Sequence, residues 1–306
     1  MRRRLVLASI AVALGVAGDR ADAAHPAIQT TDVENFYRVY DGAAGHPSAV
    51  QLQRDYLDQG SGALHRFADD RKITGESLAN AIAVHPLTFI GARRCAAILP
   101  AVRTRLAGAL RRLGRLYPSA AFPPVTIVVG RGTTAGTTNA TGVLIGLETL
   151  CAADYMDPDL AGRFVHSIAH EYVHVQQPAA QTQPDHPTVL FASLIEGGAE
   201  FVGSLISGDV GNWQLKRWTK GHEATIEHSF AADETSTNTD PWVWAGPGTR
   251  EHPGDLGYWV GERIVRCYYD RARDKRRAIA AIITISSASA PAFLAASGWR
   301  PGKRCA

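Results

Sequence analysis

Apolar residues recur at helical spacing over most of the chain. In SAVQLQRDYLDQG, Val50, Leu52, Tyr56 and Leu57 fall roughly on one face before Gly60 stops the run. GALHRFADDRK and GESLANAIAVH predict two further short helices, the second ending near Pro86. PAVRTRLAGALRRLGRLYP places Val102, Leu106, Leu110, Leu113 and Leu116 on one stripe, with arginines between them that predict a solvated basic face. Before these, residues 24–35 suggest an extended lead-in and Asp41 to Pro47 a turn.

The period changes at Phe122. PPVTIVVGRG and ATGVLIGLE are β-branched runs, and the Gly- and Thr-rich RGTTAGTTN between them predicts a hairpin with a long loop. From Pro158 the helical period returns over 160–177, 188–207, about 211–228, 255–272 and 275–284. Residues 229–254 hold Pro241, Trp242, Trp244, Gly246, Pro247, Gly248 and Pro253, an irregular stretch long enough to suggest a functional loop. The pattern predicts an α+β fold, mainly helical with a small sheet. One domain is expected over 24–306, helical over 24–120 and carrying the site chemistry over 121–306.

Residues 1–23 stand apart. Arg2-Arg3-Arg4, an apolar run from Leu5 to Ala17 and Ala21-Asp22-Ala23 have the order of a secretory leader cut after Ala23. Secretion or a periplasmic location is therefore expected, without stable membrane insertion once the leader is removed. The whole chain has 32 Lys+Arg against 29 Asp+Glu. Losing Arg2, Arg3, Arg4, Arg20, Asp19 and Asp22 leaves 28 against 27. That balance gives no electrostatic footprint for nucleic acid. Four cysteines in an exported chain suggest two disulfides. Three pairings are open; Cys95–Cys151 with Cys267–Cys305 is favoured because it ties down the C-terminal tail.

The chemistry concentrates in HSIAHEYVHVQQ. On a helix, His170 and His174 lie about 40° apart on one face, a turn from each other. Glu171 lies about 100° around from His170. It is badly placed to join the same coordination sphere and well placed to reach a water beside it. Two imidazole ligands and one general base are the division of labour in H-E-x-x-H. A catalytic zinc site needs a third protein ligand. In LIEGGAEFVGSLISG, Glu196 and Glu200 share a helix face. Burying both is costly without a partner. A cation explains the pair, with Glu196 on the metal and Glu200 accepting the ring N–H of a ligand histidine. His166 is a rival third ligand, set back along the helix. Gly197 and Gly198 suggest close passage of a neighbouring helix.

HEYVH followed by EGGAE resembles the gluzincin arrangement of thermolysin-like and aminopeptidase-like enzymes. More closely, FYRVYDG, DYLDQGSGALHRFADDR, HEYVH, EGGAEFVG and LGYWVGERIV are similar to a family of predicted secreted zinc-dependent proteases related to gliding-motility lipoproteins. The likeness runs over roughly residues 33–272 and implies a zincin-like fold. It also implies one Zn²⁺ on His170, His174 and Glu196, with Glu171 as base and a peptide or protein as substrate. In such enzymes a tyrosine past the third ligand stabilises the oxyanion, which nominates Tyr258, with His222 and His228 as runners-up. An edge strand beside the metal pairs with extended substrate, which offers GVLIGLE that role, or else that of a plain core strand. GRGTTAG lacks a phosphate-loop lysine, and no G-x-S-x-G elbow is present. Two rival readings stay open: a catalytically silent zinc-binding envelope or partner-binding protein, and an envelope assembly factor on a zincin scaffold. Oligomeric state is left open.

Overall fold

Four short strands form one mixed sheet in the order β1-β2-β4-β3: Ile28–Gln29 (β1), Val125–Val128 (β2), Gly136–Asn139 (β3) and Gly142–Gly146 (β4). These come from a computed structural model that describes residues 27–178 and 186–305. The expected leader lies outside the described residues.

The sheet corrects the expected hairpin. β2 and β4 run parallel, with Val125 opposite Val143 and Ile127 opposite Ile145. The hairpin is instead β3–β4, antiparallel, with Thr138 opposite Val143. Val125, Ile127, Val143, Leu144 and Ile145 are fully buried. Such a strand, covered on both faces, reads as one apolar run and gains most from a neighbour on each edge. β3 arises from the Gly/Thr stretch that looked like loop, and its half-buried residues suit a sheet edge. The edge role therefore falls to β3, not to GVLIGLE, which is interior.

Thirteen helices among the described residues surround the sheet. Thr31–Gly42 (α1), Gly62–Arg71 (α2), Gly75–Val84 (α3), Pro86–Ala97 (α4) and Leu99–Leu116 (α5) lie between β1 and β2. Ala49–Gln51 adds a turn that widens into a π-helix over Leu52–Leu57. After β4 come Leu147–Ala152 (α6), Leu160–Gln176 (α7), Val189–Ser207 (α8), Trp213–Trp218 (α9) and Glu223–Asp233 (α10). Leu256–Arg271 (α11), Lys275–Ile283 (α12) and Ala290–Ser297 (α13) close the chain.

Several expectations shift. α1 takes over the expected lead-in from Thr31, because Val33, Phe36, Tyr37 and Tyr40 bury one helical face, while Ile28–Gln29 before it is extended as β1. Pro86 starts α4 rather than only ending α3, as its locked φ suits a first helical position. The helix expected over 211–228 splits into α9 and α10 around Gly221, whose left-handed φ of 87° breaks it. The α5 arginines are only partly solvated. Arg112 donates to the carbonyls of Ile206 and Ser207 at the end of α8, and Arg105 pairs with Asp159 and Asp209. Arg112 thereby satisfies orphan carbonyls at the negative end of a helix dipole, while Arg105 makes ion pairs.

α8 is the centre of the helical layer. It is long and apolar enough to cross a membrane by length and composition, yet it is mostly buried inside the protein. It packs on α7 along one side and on α11 along the other. A Cβ at Gly197 would sit 2.3 Å from the Gly261 carbonyl carbon, and one at Gly261 would sit 1.8 Å from Ser193 O. The two backbones therefore touch. Gly198 faces only Ile282 Cγ2, at 3.2 Å.

The disulfides pair as favoured. Cys95–Cys151 joins α4 to α6, and Cys267–Cys305 ties the tail to α11. Closing loops of 56 and 38 residues restrains the unfolded chain by about 4 kcal/mol each on the entropic account. Two such bonds fit an oxidising, extracellular-type compartment.

Gly261→Ala tests the helix contact. Its gain in helix propensity is about 1 kcal/mol. The clash with the Ser193 carbonyl costs more, about 1–3 kcal/mol or above. Urea unfolding is expected to show a less stable protein; a stabilised variant would mean the helices do not touch there.

Candidate metal centre

Asp159 caps α7 by accepting from Ala161 N, and Arg163 anchors its first turn to the Leu150 and Cys151 carbonyls. Phe164, Val165, Ile168, Ala169, Tyr172 and Val173 are buried and fix the helix against sheet and core. That leaves the stripe at i, i+4 and i+8 to His166, His170 and His174. Two of these meet: His170 Nε2 and His174 Nε2 lie 2.9 Å apart.

α8 delivers the third donor. Glu196 Oε2 stands 3.4 Å from His170 Nε2 and 3.2 Å from His174 Nε2. Ligands about 2.0–2.1 Å from a tetrahedral zinc ion lie about 3.3 Å from each other. The observed spacings bracket that figure. His170, His174 and Glu196 thus form a buried group able to hold a metal ion.

The outer ring nitrogens are also held. His170 Nδ1 is 3.2 Å from Glu200 Oε1, off the line of a full hydrogen bond. His174 Nδ1 is 2.7 Å from Gln177 Oε1, and the Gln177 amide donates to Ile195 O. Such partners orient a ligand ring and fix its tautomer. Glu200 thus stands beside the His170 ring, near the expected place but without the ring N–H hydrogen bond expected of it.

Electrostatics point the same way. Burial opposes charge on His170 and His174, yet Glu196, joined by Glu200 at His170, outweighs it and raises both above the ordinary histidine value. Burial likewise opposes ionisation of Glu196 and Glu200, and the facing rings hold both well below the carboxylate range. The cluster calls for positive charge, and a bound cation can displace the ring protons.

His166, the rival ligand, does not join this group. With His170 and Glu200 it forms a second cluster that could hold an ion. His166 Nε2 lies 3.1 Å from Glu200 Oε2, and its ring is fully buried. A Cβ on Gly211 would come within 2.4 Å of both atoms, so this backbone covers the His166 ring, while Glu200 stays partly exposed. The Glu196 group opens instead into a cleft of about 1000 Å³.

Glu171, Tyr258 and Trp244 line the same cleft. Glu171 lies against β3. Thr138 Oγ1 lies 2.9 Å from Glu171 Oε2 and 3.2 Å from its main-chain oxygen. A Cβ on Gly136 would meet Glu171 Oε1 at 2.7 Å, so a larger residue there would push the carboxylate from its present place. Tyr258, in the first turn of α11, stacks on His170 with centroids 6.3 Å apart and planes at 20°. Burial, helped by the Glu196 charge, pushes its hydroxyl well above the ordinary tyrosine value. His222 and His228 are exposed on and beside α10 and do not line the cleft.

Four residues went unread as site residues. Thr138 and Gly136 hid in the Gly/Thr stretch. Gln177 carried a faint signal, one turn past His174. Trp244 lay in the loop that pattern singled out, but nothing tied it to Glu196. Its indole N–H donates to Glu196 Oε1 at 2.9 Å. Asp255 holds that loop by accepting from Ala245 N and Gly246 N.

Comparison of the chain with protein-family models, curated proteins and solved structures finds no match. The gluzincin likeness accordingly rests on the motifs quoted above.

Burial pushes the Asp255 carboxyl up from 3.8 to about 6, its two backbone hydrogen bonds only partly offsetting that. A folded-state value above the unfolded one gives stability that is complete below about pH 4 and lost as pH rises through 6. Asp255→Asn keeps an acceptor without the charge. In metal-free protein, wild-type stability is expected to fall relative to this variant by at most about 3 kcal/mol between pH 4 and 7. Urea unfolding across that range reads the difference; parallel curves would remove the buried-carboxylate account.

Proposed function

We propose that the protein is a secreted zinc-dependent metallohydrolase acting as a peptidase. The observation that supports this most is the convergence of three donors, two of them buried, beside a carboxylate and a half-buried phenol in one open cleft. A structural zinc site takes four protein ligands and needs no such opening.

His170, His174 and Glu196 would hold Zn²⁺, which supplies Lewis acidity to acidify water and polarise a carbonyl. Glu171 accepts the proton of the attacking water and returns it to the leaving amine. Thr138 keeps the Glu171 carboxylate aimed from the side of β3. Tyr258 remains protonated through the working pH range and donates to the scissile oxygen as it gains charge. β3 has β4 on one edge only, and its other edge is available to an extended peptide backbone. Thr137, Thr138 and Asn139 on that strand line the cleft. The substrate is therefore a peptide bound in extended form.

Glu171→Gln is expected to bind zinc stoichiometrically by elemental analysis and to cleave a quenched peptide library about 10²–10⁴-fold more slowly. Retention of wild-type turnover would remove Glu171 as base. No turnover even in zinc-loaded wild type would instead favour the silent zinc-binding reading. Tyr258→Phe is expected to lower kcat by about 10²–10³-fold with KM little changed. A change confined to KM would make Tyr258 a packing residue.

A further inference from the structure

Among the described residues, large exposed apolar side chains are few, and Trp244 is the one that lines the cleft. It is 57% exposed. A tryptophan has a single hydrogen-bond donor. Trp244 gives that donor to Glu196 Oε1. The carboxylate thereby has divided duties: Oε1 faces the indole, and Oε2 faces the two histidines.

The chain accepts an unfavourable backbone to make this contact. Trp244 has a left-handed φ of 61°, which residues with a bulky Cβ substituent avoid. Asp255, which holds the next two amides, is left-handed as well, with φ 54°. Gly248 pairs with Pro253, and Gly254 N donates to Pro247 O, closing the loop on itself. Strain of this kind persists where surrounding contacts over-determine it. Here those contacts aim one N–H at one oxygen of a candidate ligand.

We propose that Trp244 is a positioning residue that restricts Glu196 to a single metal-binding oxygen. We propose too that its exposed ring is the wall against which an aromatic or branched aliphatic side chain beside the scissile bond packs. The inference rests on the metallopeptidase reading and deepens it. A carboxylate that grips with both oxygens takes up a coordination position that catalysis needs open. An N–H on Oε1 opposes that grip. A ring anchored this way offers a flat apolar surface at a fixed distance from the reacting centre, as a selective subsite requires.

Trp244→Phe removes the donor and keeps an aromatic face; Trp244→Ala removes both. Zinc affinity is measured by competition with a chromophoric chelator, and the Co²⁺-loaded absorption spectrum reports coordination. Peptide affinity is measured in the Glu171→Gln background with two peptides that differ only in Leu or Ser beside the scissile bond. Trp244→Phe is expected to weaken zinc binding by about 10- to 100-fold and to change the Co²⁺ spectrum. Its preference for Leu over Ser and its metal-free melting temperature should stay at wild-type values. Trp244→Ala should lose the same zinc affinity and most of the Leu preference.

Unchanged zinc affinity and Co²⁺ spectrum in Trp244→Phe would overturn the positioning role. A Leu preference surviving in Trp244→Ala, or absent from the parent, would overturn the wall. Should Trp244→Ala fold poorly, Trp244→Ser serves in its place. A wild type that binds zinc yet cleaves nothing sinks the peptidase reading while the zinc comparison still decides on Trp244. A wild type that takes up no zinc sinks both.

Discussion

Two carboxylates one turn apart on a buried helix are the constraint around which this protein is organised. Taking an ionised group out of water costs several kcal/mol even after relaxation. α8 carries Glu196 and Glu200 through the middle of the helical layer, among side chains that are otherwise almost all apolar or small. The fold answers by bringing three imidazoles from α7 onto the same spot. Each carboxylate contacts two rings, and His170 is shared between them. The α7–α8 packing is thus electrostatic as well as apolar, and either half would be unstable alone.

Access separates the two halves of this cluster. At the Glu200 end, the Gly211 backbone closes over His166, and the groups there serve to orient. At the Glu196 end, residues of both helices line the cleft, and β3 and the Trp244 loop supply further walls. The His166 and Glu200 end lies off the cleft that His170, His174 and Glu196 line. That arrangement follows from one helix stripe repeated three times, which brings histidines progressively from core toward solvent.

Legibility in the sequence followed the same division. HEYVH and EGGAE could be read because helical spacing converts directly into a shared face, and the structure brings His170, His174 and Glu196 together where that logic put them. Gly197 could be read as a close approach, though not its partner Gly261. The sheet could not be read. GTTN lacks the β-branched apolar signal of a strand, and only its place beside β4 makes it one. The pairing of β2 with β4 depends on what covers both faces, which no local pattern contains. Trp244 and Asp255 were hidden for a related reason. Their roles come from left-handed backbone positions, which are rare for tryptophan and which no local pattern announces.

The contact between Gly197 and Gly261 reaches further than packing. Gly197 directly follows Glu196, and Gly261 lies three residues past Tyr258. With main chain resting on main chain, no side-chain rearrangement can alter the spacing between the two helices that carry Glu196 and Tyr258. The roots of the carboxylate and the phenol are thus set apart by the thickness of two backbones. Any change in the shape of the cleft would therefore have to come from β3 and the tryptophan loop, with the two helices held as a fixed frame behind them.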